Sequence, residues 1–231
     1  MTQQNPETFR HELKYLISNA ETAMLKARLP GLMPLDAHAG NGGYRIRSLY
    51  FDDYDDRCLL ENENGTDPRE KYRIRIYNHS VSRITLECKR KERGMTHKSS
   101  CPLTLEQTEE LMAGRPLSNV GQLPPLLRKF TAEMLIYRLR PVVIVEYDRI
   151  PYVYRDGNVR ITLDTNISSS RDGMGFLDAE IPRRPVMPLG LQLLEVKYDA
   201  YLPDFIYQSL QLSGLRQTAY SKYAICRRYT R

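Results

Sequence analysis

Tryptophan is absent from this sequence of 231 residues, and there are only four cysteines and four histidines. Cys58, Cys88, Cys101 and Cys226 form no C-x-x-C pair, which argues against a zinc knuckle and against a redox motif. The histidines show no H-x-x-x-H spacing, so a histidine metal site or a cysteine or histidine nucleophile has no support. Any chemistry is therefore expected to depend on lysine, arginine, aspartate and glutamate.

Long apolar runs are missing as well. No segment approaches the roughly 20 apolar residues that cross a bilayer, and the polar start, Met1 to Glu7, contains no apolar signal core. We therefore expect a cytoplasmic protein without a membrane span. The formal charge of +6 indicates a polyanionic partner, which could be nucleic acid, a membrane surface or a phosphorylated small molecule.

Sixteen tyrosines, five phenylalanines and short runs of valine and isoleucine favour a β-rich fold, and we expect one domain over residues 1–231. Alternation and turn residues predict strands at Phe9 to Ile17, Tyr44 to Phe51, Glu70 to Tyr77, Arg83 to Lys91, after Gly94, Val142 to Tyr154, Val159 to Ser168 and Leu191 to Tyr198. Capping residues, acidic starts and prolines predict helices after Ser18, after Asp52 to Asp56 and after Thr104. A further helix is predicted from about Pro125 to Tyr137, with Pro141 ending it. The last predicted helix follows Pro203 and has apolar positions at Phe205, Leu210 and Leu212.

Residues two apart share one face of a strand, and at least six predicted strands carry cations on one face. Solvated faces are the ordinary explanation for a single strand, but such faces mix uncharged polar residues with both charges. Here lysine and arginine dominate, which favours a closed sheet with the charged faces inside, where burial without a ligand would cost several kcal/mol per charge. The expected lining residues are the cations Lys14, Arg73, Arg75, Lys89, Lys98, Arg149, Arg160, Lys197 and Lys222 and the carboxylates Glu12, Glu87, Asp164 and Glu195.

A family resemblance rests on these residues. The chain resembles the VTC domain of polyphosphate polymerases from about Phe9 to Tyr223, a domain of the triphosphate tunnel metalloenzymes, which also include the CYTH phosphatases. The motifs that carry the resemblance are Glu12-x-Lys14, Arg73-x-Arg75, Glu87-x-Lys89, Val159 to Ile167, Leu194 to Lys197 and Tyr220 to Tyr223. The single E-x-K of the first strand differs from the E-x-E-x-K of CYTH proteins, which argues against direct equivalence with them.

The resemblance implies an α+β fold, in which an antiparallel β-barrel forms a triphosphate tunnel and helices pack on the outside. It also implies a divalent cation, Mn²⁺ or Mg²⁺, held by carboxylates beside the phosphates. By position, the residues expected to act on the phosphates are Lys14, Arg73, Arg75, Lys89, Arg149, Arg160 and Lys222. Further substrate-binding candidates are Arg10, Lys98, Lys197, Tyr147 and Ser221, and the metal candidates are Glu195, which matches the family's metal-binding glutamate, with Glu12, Glu87 and Asp164.

The implied activity is transfer of the terminal phosphate of ATP to a polyphosphate chain. Phosphoryl transfer needs positioning and charge neutralisation, so the lack of a cysteine or histidine nucleophile is no obstacle. Two alternatives stay open: hydrolysis of tripolyphosphate or a nucleoside triphosphate, and binding without turnover, as in a sensor. Nucleic acid is not an expected partner, because that role requires cations on an outer surface with stacking aromatic residues between them.

Overall fold

The computed structural model describes residues 10–40, 42–211 and 214–230. Its strands are β1 (His11–Ser18), β2 (Tyr44–Asp52), β3 (Arg69–Tyr77), β4 (Ser80–Glu92), β5 (Met95–Leu103), β6 (Arg140–Tyr154), β7 (Val159–Ser170), β8 (Arg184–Pro185) and β9 (Leu191–Tyr198). Its α-helices are α1 (Asn19–Arg28), α2 (Arg57–Glu63), α3 (Leu105–Met112), α4 (Pro125–Tyr137), α5 (Asp204–Ser209) and α6 (Lys222–Arg228). Short 3₁₀ turns occur at Leu29–Gly31, Val120–Gln122, Asp156–Asn158 and Met174–Leu177.

The strands form one antiparallel sheet in the order β1-β9-β7-β6-β2-β3-β4-β5, and β8 adds to β7. The sheet curls until its edge strands meet just before β1 and within β5. There the amide of Arg10 donates to the carbonyl of Thr96 at 3.1 Å, and the amide of Thr96 donates back at 3.3 Å. The predicted antiparallel barrel is confirmed, and an isolated bridge joins its two edges.

Short-range signals position several elements as predicted. Ser18 and Glu21 form a capping box at the start of α1, in which the serine hydroxyl accepts from the Glu21 amide and the glutamate accepts from the Ser18 amide. Thr104 and Gln107 form the same motif before α3. Buried Asp52 accepts hydrogen bonds from the first amides of α2, as an acidic residue at a helix start should.

Other boundaries differ from the sequence prediction. The first hairpin turns over two residues, Asn78 and His79, which both have positive φ, so Ser80 belongs to β4 and not to the turn. Helix α4 ends at Tyr137 before a left-handed Arg138, and Pro141 lies inside β6. The predicted positions Phe9 and Leu212 lie outside the described residues.

Helices cover the apolar outer face of the sheet on both sides. Residues of β3 and β4 such as Ile74 and Leu86 pack against Phe130 of α4, while Leu194 of β9 packs with Leu25 of α1 and with α5. Helix α6 differs, because it packs against the concave face, where its Tyr223 and the Tyr50 ring have centroids 5.0 Å apart. No helix in the described part of the chain is long and apolar enough to cross a membrane.

Candidate functional site

The curled sheet encloses a cavity of about 440 Å³ on its concave side. Strand alternation builds its walls, because on β3 the side chain of Arg73 enters the cavity whereas Tyr72 joins the outer core. Eleven lysines and arginines line the cavity, against two glutamates among the described residues. These lining residues are Arg10, Lys14, Lys71, Arg73, Arg75, Lys89, Lys98, Arg149, Arg160, Lys197 and Lys222, with Glu12 and Glu195.

Glu87 holds one group of these cations from beneath the cavity surface. It lies opposite Arg73 in the β3–β4 register, and its Oε2 is 2.6 Å from Arg73 Nη2 and 3.5 Å from Arg75 Nη1. Its Oε1 is 3.2 Å from Lys98 Nζ. Burial alone would raise the pKa of Glu87, but Arg75, Arg73 and Lys98 hold it far below the ordinary value, so the carboxylate is ionised.

Asp164 and Glu195 hold a second group, which is the most buried. Arg149 donates from Nε and Nη2 to the two oxygens of Asp164, both at 2.7 Å, and Nη2 lies 3.2 Å from Glu195 Oε2. Lys222 Nζ, which α6 brings to the concave face, lies 2.6 Å from an oxygen of each carboxylate. Against the opposing effect of burial, Arg149 and Lys222 lower the pKa of both acids, and Lys197 also lowers the pKa of Glu195.

Glu12 on β1 holds a third group. Lys14 and Lys197 lie 3.5 Å and 3.7 Å from its Oε1, and Lys89 of β4 contacts its Oε2. Burial opposes ionisation, yet the three lysines keep the pKa of Glu12 well below its usual value. Burial lowers the pKa of Lys89 to about 8, which Glu12 opposes and Lys14 and Lys197 reinforce.

Two further cations reach the cavity near the β6–β7 hairpin. Arg160 contacts Asp36 at 2.7 Å and donates to the hydroxyl of Tyr44 at 2.9 Å. Arg10 contacts Asp199 at 2.8 Å and also donates to the carbonyl of Asn158. The cavity therefore presents three cation groups around shared carboxylates, together with these two arginines.

The structure brings the sequence-predicted residues together at this cavity, with two exceptions in position. Glu87 and Asp164 do not reach the cavity surface, because Arg73 and Arg149 respectively cover them. The predicted residues that do line it are Arg10, Glu12, Lys14, Arg73, Arg75, Lys89, Lys98, Tyr147, Arg149, Arg160, Glu195, Lys197, Ser221 and Lys222.

Sequence reasoning left out Lys71 and four of the five tyrosines that line the cavity. The alternation of β3 already placed Lys71 on the face of Arg73 and Arg75, so a signal for it existed. The tyrosines had no such signal, because a tyrosine at strand spacing is equally compatible with a core position. They are Tyr44, Tyr50, Tyr77 and Tyr223.

The four predicted metal carboxylates do not converge on one point. Within the described ranges, no group of three or more histidines, cysteines, aspartates and glutamates could hold a metal ion. Asp164 and Glu195 are the best-placed pair, because Lys222 contacts both. Carboxylate oxygens are donors that Mg²⁺ and Mn²⁺ accept, and Mg²⁺ ordinarily combines one or two of them with substrate phosphates and water. Glu195, the member of the pair that lines the cavity, fits a cation whose other ligands come from a bound phosphate chain.

A curled antiparallel sheet around a basic cavity defines the fold of the triphosphate tunnel proteins. Among solved structures, the Hippeastrum protein HpAC1, described as having a dominant triphosphatase activity, is 14% identical with a TM-score of 0.56, and the match covers 97% of both chains. The PH1819 protein from Pyrococcus horikoshii OT3 is 13% identical with a TM-score of 0.51, covering 94% of this chain and 97% of that one. These likenesses concern the fold.

The VTC domain family model matches residues 9–230, and the chain therefore belongs to this family. A search of curated proteins gave no match. The predicted resemblance is thus confirmed at the level of family and fold.

Proposed function

We propose that this protein binds phosphate chains in its cavity and transfers the terminal phosphate of ATP to a polyphosphate chain. The observation that carries the proposal is the charge of the cavity, where eleven cations line the walls and two glutamates face them. Four more carboxylates, Glu87, Asp164, Asp36 and Asp199, pair with these cations, so the eleven cations exceed the six carboxylates by five. A polyanion would supply the missing negative charge, since a triphosphate carries about four negative charges near pH 8.

The residue types suit in-line transfer between two phosphate groups. Arg73, Arg75 and Arg149 offer planar donors that can contact two phosphate oxygens at once, and lysines such as Lys14 and Lys222 add point charges. Because these side chains are held by carboxylates of the protein itself, their positions are set before a ligand arrives. Transfer then depends on alignment and on neutralising charge on the phosphoryl oxygens, without a protein nucleophile.

A divalent cation, Mn²⁺ or Mg²⁺, completes the proposed site. Glu195, which lines the cavity, would hold it, with Asp164 beneath Arg149 supporting Glu195 through the shared Lys222. The cation would neutralise oxygens of the phosphate that is transferred. Glu12 is the next carboxylate along the wall and contacts Lys197, as Glu195 does. Arg149 and Lys222 each contact Asp164 and Glu195, so they position these two carboxylates and remain beside them to contact phosphate.

Incubation of the purified protein with ATP, Mn²⁺ and a short polyphosphate primer tests this proposal. A ladder of lengthening phosphate chains on a gel, together with ADP, is the expected result. A variant with Glu110→Gln, on α3 away from the cavity and with a side chain that is 46% exposed, should give the same ladder and serves as a control. If neither phosphate chains nor ADP form in the presence of Mn²⁺ or Mg²⁺, turnover is excluded and only binding remains.

Hydrolysis is the second candidate, because triphosphatase activity is described for HpAC1 and the same cavity could hold a triphosphate with water as the acceptor. Orthophosphate released from ATP or tripolyphosphate without chain growth would favour it. Adding a polyphosphate primer distinguishes polymerisation from hydrolysis. The primer should accelerate ADP formation by a polymerase, whereas it should compete with the substrate of a hydrolase and slow its turnover.

A further inference from the structure

Lys71 extends a row of cations along one strand of the cavity wall. It precedes Arg73 and Arg75 on β3 at the two-residue spacing that keeps side chains on one face. At about 3.3 Å per residue, the three positions cover about 13 Å of strand, which is suited to an extended anion and not to a single phosphate. The residue opposite Lys71 in the β3–β4 register is another cation, Lys89.

Lys71 differs from every other lining cation in its partners. The other ten each have a carboxylate oxygen within 4.0 Å, in the three groups or at Asp36 and Asp199. Among the described residues, no carboxylate lies within this distance of Lys71. Its Nζ lies 5.6 Å from the ring centroid of Tyr223, an aromatic face that attracts a cation more weakly than a carboxylate does.

The groups around Lys71 are mostly cationic. They are Lys14 and Glu12 from β1, Arg73 on its own strand, Lys89 from β4 and the ring of Tyr223 from α6. Burial lowers the pKa of Lys71 well below that of an exposed lysine, and Lys89, Lys14 and Arg73 lower it further. Glu12 acts in the opposite direction with a smaller effect, so the cavity disfavours the charged ammonium form of Lys71 compared with water.

We propose that Lys71 is a phosphate-binding residue whose counter-ion is the ligand itself, so that binding of a phosphate chain is coupled to uptake of a proton by Lys71. This inference rests on the proposed phosphate binding and does not depend on turnover. The proton moves from the solvent to Nζ, and the resulting ammonium group contacts a phosphate oxygen of the bound chain. Phosphate chains long enough to pass Arg73 and reach Lys71 gain this contact, and a single phosphate does not.

Calorimetry of ATP and tripolyphosphate binding at pH 8, in two buffers that differ in ionisation enthalpy, measures both affinity and proton uptake. We expect K71M to bind at least tenfold more weakly than the wild type. K71R, which keeps a permanent charge, should bind within threefold of the wild type but take up fewer protons. K26M, at an exposed position on α1, should match the wild type in both respects.

Circular dichroism and melting curves establish that each variant is folded. Wild-type affinity in K71M, or wild-type proton uptake in K71R, would overturn the role of Lys71 while leaving the phosphate-binding cavity in place. Failure of the wild-type protein to bind either ligand would overturn this inference and the proposed function together. Binding without turnover would contradict only the proposed reaction.

Discussion

Replacing Glu87 by glutamine tests whether this carboxylate holds the cations of the cavity wall together. Glu87 is 3% exposed and contacts Arg73 at 2.6 Å, Lys98 at 3.2 Å and Arg75 at 3.5 Å. Glutamine keeps the shape and removes the charge, which leaves the buried Arg75 and the half-buried Arg73 without compensation. Breaking a buried ion pair in this way typically costs about 3–5 kcal/mol.

The destabilisation of E87Q can be measured as a fall in its melting temperature. An unfolding entropy of about 2.1 cal/mol/K per residue amounts to about 0.5 kcal/mol/K for the 231 residues. The expected cost then lowers the melting temperature of E87Q by about 6–10 °C. E110Q removes a carboxylate that lies 2.6 Å from Arg115 at the surface, and this variant should have the same melting temperature as the wild type.

A phosphate chain should reverse this destabilisation, because it replaces the lost negative charge. Saturating tripolyphosphate is therefore expected to raise the melting temperature of E87Q more than that of the wild type, and calorimetry should show tighter binding to E87Q. Equal melting temperatures for E87Q and the wild type without ligand would refute the view that Glu87 offsets the cation cluster.

Three further predictions concern binding and turnover. The double variant R73A/R75A should bind ATP at least a hundredfold more weakly than the wild type, with an unchanged circular dichroism spectrum. The wild type should bind ATP more tightly than AMP, and equal affinity for the two by calorimetry would count against a phosphate-chain site. E195Q should bind ATP within threefold of the wild type but lose metal-dependent turnover, and full activity in Mn²⁺ would remove Glu195 from the site. ATP affinity should fall between pH 8 and 9.5 at constant ionic strength. The reason is that Lys89, with a pKa of about 8, is charged below that range and neutral above it, while the phosphates stay fully ionised. A dissociation constant that does not change over this range would contradict the role of Lys89.

Much of the fold could be predicted because its determinants are short-range. Capping boxes at Ser18 and Thr104 involve residues three positions apart, and both begin helices in the structure. The predicted strands Glu70 to Tyr77 and Arg83 to Lys91 correctly imply a turn between them, but the turn spans only Asn78 and His79, since the sequence does not reveal which residues adopt positive φ. The position of α6 on the concave face was not foreseen, because packing against tyrosines such as Tyr50 depends on the shape of the curled sheet.

Alternation along strands also predicted which cations face the cavity, and part of the ion pairing follows from the register of neighbouring strands. Arg73 lies opposite Glu87, and Arg149 lies opposite Asp164. Such pairs form across one hairpin, where strand spacing brings opposite side chains within about 5 Å. The sequence could therefore indicate a basic face with embedded carboxylates, although it did not indicate that Glu87 and Asp164 would be covered by arginines.

The sequence by itself determined the strands and their charged faces, because period-two alternation and turn chemistry act over a few residues. Only the tertiary structure decided which distant charges meet. Curling of the sheet brings Lys89 to Glu12, 77 positions away, and packing of α6 brings Lys222 to Asp164 and Glu195. The same closure leaves Lys71 among cations, because every nearby carboxylate is already in contact with other lysines and arginines.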